Sequence, residues 1–76
     1  MEYVFMVKWD HKADSGMLGI FRALEGAKAA AEADYAEIND TDSLVWSLDG
    51  DAEDPWWSTQ PITEHWYFIE RIQVQD

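Results

Sequence analysis

The side chains able to do chemistry in this chain are mostly carboxylates and indoles: sixteen Asp and Glu, five Trp, two His and no Cys. Nucleophilic catalysis needs a nucleophile within reach of a base that a third group orients. His11 and His65 are the only imidazoles available for that work. His11 stands in Asp10-His11-Lys12-Ala13-Asp14, which reads as a solvated, charged turn, whereas His65 opens a run of aromatics and reads as a packing or hydrogen-bonding residue. The chain has no Gly-rich phosphate loop, nucleophile elbow or HExxH motif, the patterns that bring a phosphate, a serine or a zinc ion to a defined place. A pair of carboxylates can be drawn anywhere among sixteen acids, so it has no weight without a pocket. No catalytic, cofactor-binding or metal-ligating residue is assigned on these grounds, and the expectation is a protein that is not an enzyme.

One stretch tests the cation reading directly. Asp49-Gly50-Asp51-Ala52-Glu53-Asp54 starts like a calcium loop, but the EF-hand pattern requires Gly at its sixth place and Glu at its twelfth. Those places hold Asp54 and Gln60, so no calcium site is indicated.

The acids carry more information as a distribution. The formal net charge is −11, yet residues 1–28 and 71–76 together are neutral, with all five bases (Lys8, Lys12, Arg22, Lys28, Arg71) balanced by Glu2, Asp10, Asp14, Glu25 and Asp76. Residues 29–70 hold the remaining eleven acids and neither Lys nor Arg. Such a field repels nucleic acid and favours cations or a basic protein surface. Glu32, Asp34, Glu37, Asp40, Asp42, Asp49, Asp51, Glu53 and Asp54 could present carboxylates where the phosphates of DNA would lie, drawing on the affinity a basic groove gains by shedding counterions. The plainer reading is that acidity keeps a small aromatic-rich protein dispersed. Trp56-Trp57, inside the acidic stretch, adds a candidate anchor, because Trp is enriched among residues that dominate interface energy. Adjacent residues on an extended chain face opposite ways, so at least one of the two should be available to a partner.

The elements that must position these groups follow from patterning. Tyr3-Val4-Phe5-Met6-Val7-Lys8-Trp9 and Met17-Leu18-Gly19-Ile20-Phe21 read as two strands of a hairpin around a seven-residue turn. Leu24, Ala27, Ala31, Tyr35 and Ile38 recur at helical spacing. That helix starts without a Ser, Thr, Asp or Asn cap and carries Gly26, so tertiary packing must hold it. Leu44 to Leu48 reads as a third strand, Asp49 to Pro61 as an acidic loop, and His65 to Gln73 as the last strand. The expected architecture is a single α+β domain over residues 1–76, a small antiparallel sheet in β-β-α-β-β order with one helix packed on one face.

A single helix leaves a difficulty. The first and last strands carry apolar residues on both faces: Tyr3, Phe5, Val7 and Trp9 against Val4 and Met6, and Tyr67 and Ile69 against Trp66, Phe68, Ile72 and Val74. One helix cannot cover both. The bare face marks an interface, with a second copy or with a partner, unless the 49–61 loop folds back with Trp56 and Trp57 as a lid.

Several stretches resemble a family of short proteins encoded by bacteriophages and prophages: Leu18-Gly19-Ile20-Phe21, then Glu25 with Ala27 and Ala30-Ala31, and finally Trp66-Tyr67-Phe68-Ile69. The chain departs from that family's Ser or Thr helix cap, having Arg22-Ala23 in its place. The Ala- and Asp-rich, Lys-poor, Trp-rich composition is similar to proteins of actinobacterial phages. The resemblance implies a β-β-α-β-β fold and an origin, and no catalytic residue. The chain has no apolar run of about 18 residues and no signal-peptide pattern at Met1-Glu2-Tyr3, so a bacterial host cytoplasm is the expected location. The functional expectation is an accessory protein that binds and inhibits a basic, nucleic-acid-handling host protein through its acidic surface, without binding nucleic acid or membrane itself. The alternative is a homodimer formed through the uncovered sheet face.

Overall fold

The computed structural model describes residues 2–11, 14–38, 44–59 and 65–74. Five strands and one helix follow in the order β1 (Tyr3–His11), β2 (Asp14–Phe21), α1 (Leu24–Ile38), β3 (Trp46–Gly50), β4 (Pro55–Thr59) and β5 (His65–Gln73). All neighbours are antiparallel, and the sheet order is β2-β1-β5-β4-β3. The fold is therefore a small α+β domain with a helix packed on a strand-rich sheet.

The sheet has one strand more than the β-β-α-β-β order expected from the sequence. Pro55 to Thr59, read above as part of an acidic loop and a possible lid, form β4. Proline is tolerated at the first residue of a strand, and Trp-Trp-Ser-Thr behind it is β-prone. Asp49 belongs to β3, and Asp51, Glu53 and Asp54 are confined to a tight β3–β4 turn. Gly50 enters this turn at φ 79°, where a Cβ would lie 2.5 Å from the Asp54 carbonyl oxygen. The Asp51 carboxylate then accepts from the amides of Glu53 (3.1 Å) and Asp54 (2.9 Å). The first hairpin is also tighter than expected. β1 runs on to His11 and β2 begins at Asp14, so the charged Asp10-to-Gly16 stretch is mostly paired strand rather than turn.

Register and side-chain alternation assign the two faces. Val7, Trp9 and His11 of β1 pair with Ile69, Tyr67 and His65 of β5 and share the face beneath α1. The helix contributes Ala27, Ala31 and Tyr35, a four-residue repeat that is fully buried. Two alanines at the contact let the helix approach the sheet closely and leave room for the rings of Tyr35 and Tyr67, which meet edge to face at 6.2 Å. The Ala23 carbonyl accepts the first helical hydrogen bond, from Ala27 N at 3.1 Å, at a helix start without a side-chain cap residue.

α1 packs on β2, β1 and β5 and makes no comparable contact with β3 or β4. On the same face, Leu48 of β3 consequently remains 66% exposed. Trp57 is half-buried, its ring 5.9 Å from Phe5. Where β4 meets β5, the Thr59 hydroxyl replaces a ladder bond: it accepts from Tyr67 N at 2.9 Å and is itself buried.

Candidate functional site

The face away from α1 carries the site. β1 contributes Val4, Met6 and Lys8 to it, β5 contributes Trp66, Phe68, Glu70 and Ile72, β4 contributes Trp56, and β2 contributes Met17 and Ile20. No helix covers this face among the described residues. Met17 and Ile20 are more than half exposed, and Trp56 is 39% exposed. Apolar and aromatic side chains are thus laid out across four adjacent strands, the arrangement expected of an interaction surface rather than of scattered surface hydrophobes.

At the β4–β5 side this face deepens into a cleft of about 490 Å³ lined by Asp54, Pro55, Trp56, Trp66, Phe68, Glu70 and Arg71. Trp56 stands opposite Glu70 in the β4–β5 register, and the rings of Trp66 and Phe68 meet at 5.1 Å. Lys8 approaches two of these lining residues, Phe68 and Glu70, from the β1 side. Its ammonium lies 5.8 Å from the Phe68 centroid and 3.4 Å from the Glu70 carboxylate. That ion pair is partly exposed and contributes little to stability. It places a cation near a ring and a carboxylate on this face, beside the cleft. Arg71 is drawn aside: its guanidinium stacks 4.0 Å over the Tyr3 ring and donates to the Glu53 carbonyl at 3.3 Å.

The acids singled out in the sequence separate into groups with different roles. Asp34 is half-buried and accepts from the Tyr67 hydroxyl at 2.6 Å, tying α1 to β5. Burial, followed by this hydrogen bond, pushes the Tyr67 hydroxyl well above its ordinary pKa. Asp49 accepts from Ser58 Oγ at 2.7 Å across β3 and β4, and Asp51 is committed to the turn amides. Glu32 and Glu37 on α1, and Glu53 and Asp54 in the β3–β4 turn, are exposed. Asp40 and Asp42 lie outside the described residues. The turn sits at the end of the sheet where α1 begins, because β5 ends beside Tyr3 at the start of β1, and Phe5 of β1 pairs with Phe21 at the end of β2. Glu37 stands thirteen residues along α1 from Leu24, about 20 Å of helix at 1.5 Å per residue. The turn acids therefore adjoin the aromatic cleft, and the acids at the far end of α1 do not.

The Trp pair divides as adjacent strand residues must. Trp57 turns to the helix side and packs with Phe5, while Trp56 turns to the open face and into the cleft. Trp66, Phe68 and Glu70 complete the cleft and were not singled out as site residues by type. Their signal was the alternation of β5, which sends them away from Tyr67 and Ile69.

His11 belongs to β1 rather than to a solvated turn, and its ring lies 5.2 Å from that of His65. His65 is buried among Trp9, Tyr35 and Tyr67, as its aromatic surroundings in the sequence imply. Burial first, then the neighbouring His11, holds the His65 pKa below its ordinary value, against an opposing pull from Asp34. Among the described residues no group of three or more His, Asp or Glu is arranged to hold a metal ion, and no helix is long and apolar enough to cross a membrane. Comparison with family models, with curated proteins and with solved structures finds no match for this chain.

Proposed function

We propose that the protein is a binding module that grips a basic polypeptide surface with its open sheet face. In this reading the aromatic cleft of Trp56, Trp66 and Phe68 takes an apolar or cationic side chain, and the turn carboxylates guide the encounter. The observation that carries the proposal is the partly exposed Trp56 in a cleft whose rim holds Asp54 and Glu70. Exposed tryptophan beside carboxylates suits lysine and arginine, through cation–π attraction and charge pairing together. The net charge of −11 speeds association with a basic partner and opposes association with a second copy of equal charge. A nucleic-acid-handling protein is the partner class whose surface fits, since its groove already binds spaced anions. Occupying that groove would inhibit it.

The test uses an alternating lysine–leucine decapeptide titrated into isotopically labelled protein. The indole resonances of Trp56 and Trp66 should shift together, binding should weaken steeply as salt rises, and Glu53→Lys with Asp54→Lys should remove most of the affinity. Affinity independent of salt, or shifts confined to the outer face of α1, would overturn the proposal. Sedimentation separates the remaining reading. Met17 and Ile20 lie at the β2 edge of the same face, and a stable dimer at micromolar concentration would assign that face to self-association instead.

A further inference from the structure

His65 poses a question that packing alone does not answer. Among the described residues its Nε2 is buried without a hydrogen-bond partner, while the residue as a whole is 7% exposed. An orphaned buried polar atom costs about 1–3 kcal/mol, and such an atom in a native structure calls for a bound water, an ion or a catalytic role. Its ring neighbours are Trp9, Tyr35, Tyr67 and His11.

We propose that His11 and His65 form a two-donor site for a borderline divalent transition-metal ion, with Zn²⁺ as its reference occupant and water completing the coordination. The two residues are direct cross-strand partners on β1 and β5 and point to the same face. Their ring centroids are 5.2 Å apart. Two imidazoles bound to one ion at Zn–N of about 2.0–2.1 Å, with a near-tetrahedral angle, place their centroids roughly 5 Å apart. The centroid separation is therefore compatible with two imidazoles on one ion.

The two partners have complementary freedom. His65 is fixed by its stack on Trp9, 5.9 Å between centroids and 7° from parallel. His11 is half-buried at the strand end, so its ring can turn toward an ion without repacking the core. Desolvation, then the neighbouring His11, lowers the His65 pKa, in the direction of the neutral imidazole that binds a metal. Asp34, anchored by Tyr67, contributes a field that favours positive charge at this end of the sheet. Imidazole donors select zinc, copper and nickel over magnesium and calcium, which seek oxygen. Excess Mg²⁺ therefore competes for the carboxylates and not for this site.

Zn²⁺ titration of the full chain, read by calorimetry and by the ring resonances of His11, His65 and Trp9, tests the proposal in the presence of excess Mg²⁺. One Zn²⁺ per chain should shift those three rings selectively, and Mg²⁺ should not compete. His65 is part of the core, so the variant of choice is His11→Ala, which should keep the fold while lowering Zn²⁺ affinity at least about tenfold. His11→Cys, which restores a donor, should recover it. Zn²⁺ shifts spread over carboxylates without a response of the two imidazoles would overturn the assignment, as would unchanged affinity in His11→Ala. In either case a buried water becomes the partner of His65 Nε2.

Discussion

The two faces of one sheet carry nearly the same residue types and lead opposite lives. Beneath α1, Val7, Tyr67 and Ile69 are fully buried and locked by the alanines and Tyr35 of the helix. On the other side, Met6, Phe68, Trp66 and Trp56 are equally apolar, yet no helix of this chain covers them among the described residues. Hydrophobic content therefore does not distinguish core from binding surface in this protein. What separates them is which face the crossover helix takes after β2, and that helix can take only one. The price of so small a domain is that it must hold its fold with one face and still keep the other presentable.

Four tests would break or sharpen that contrast. Ile69→Ala under the helix should cost about 2–5 kcal/mol, a large share of the roughly 5–15 kcal/mol available to a whole domain. Ile20→Ala on the open face should change stability by no more than about 0.5 kcal/mol. Urea denaturation of the two variants would measure the difference, and equal losses would mean that the open face is covered in solution.

Tyr67→Phe should lower stability by about 1.5–3 kcal/mol, the range for a hydrogen bond to a charged group, because Asp34 loses its donor. The same bond predicts an alkaline effect. The Tyr67 hydroxyl is held in its protonated form, with a folded pKa above the ordinary value of 10.0. Its contribution is fully present below that value and is lost as the pH rises beyond it toward the folded pKa. Thermal melts across alkaline pH should show the wild type losing stability over this window, with Tyr67→Phe lacking that component.

The adjacent tryptophans test the faces at a single step of the chain. Trp57→Ala should cost about 2 kcal/mol, less than the value for a wholly buried Trp, and leave decapeptide binding nearly intact. Trp56→Ala should stay within about 1 kcal/mol of wild type in stability and lose most of the binding. Reversal of that pattern would exchange the roles of the two faces.

The smallest effect expected is ionic. Eleven acids without a base between residues 29 and 70 repel one another, and the repulsion shrinks as the Debye length falls to about 8 Å at physiological salt. The melting temperature should rise modestly from low to physiological salt. A flat response would mean that the acids are too far apart to interact.

The strands and helix were legible wherever periodicity was strong. The repeat of Leu24, Ala27, Ala31 and Tyr35 located α1, and the mixed alternation of β1 and β5 already implied that one apolar face would lack a cover. β4 was hidden, because four acids and two prolines around Trp56-Trp57 outweighed the β-propensity of Trp-Trp-Ser-Thr in a local reading. The candidate site was half legible. Trp56 and the turn acids stood out by type, whereas Trp66, Phe68 and Glu70 joined them only through the β4–β5 register. Asp34, Asp49 and Asp51 looked like surface charge and are spent on internal hydrogen bonds.

The amino-acid sequence by itself determined the charge asymmetry, the helix and the opposite facing of neighbouring strand residues, since each depends on composition or on contacts a few residues apart. Only the tertiary structure decided which carboxylates remain on the surface, which tryptophan faces a partner, and that His11 meets His65 across two strands. Those outcomes depend on sheet order and register, which join residues more than fifty positions apart, and no local pattern encodes the distance between them.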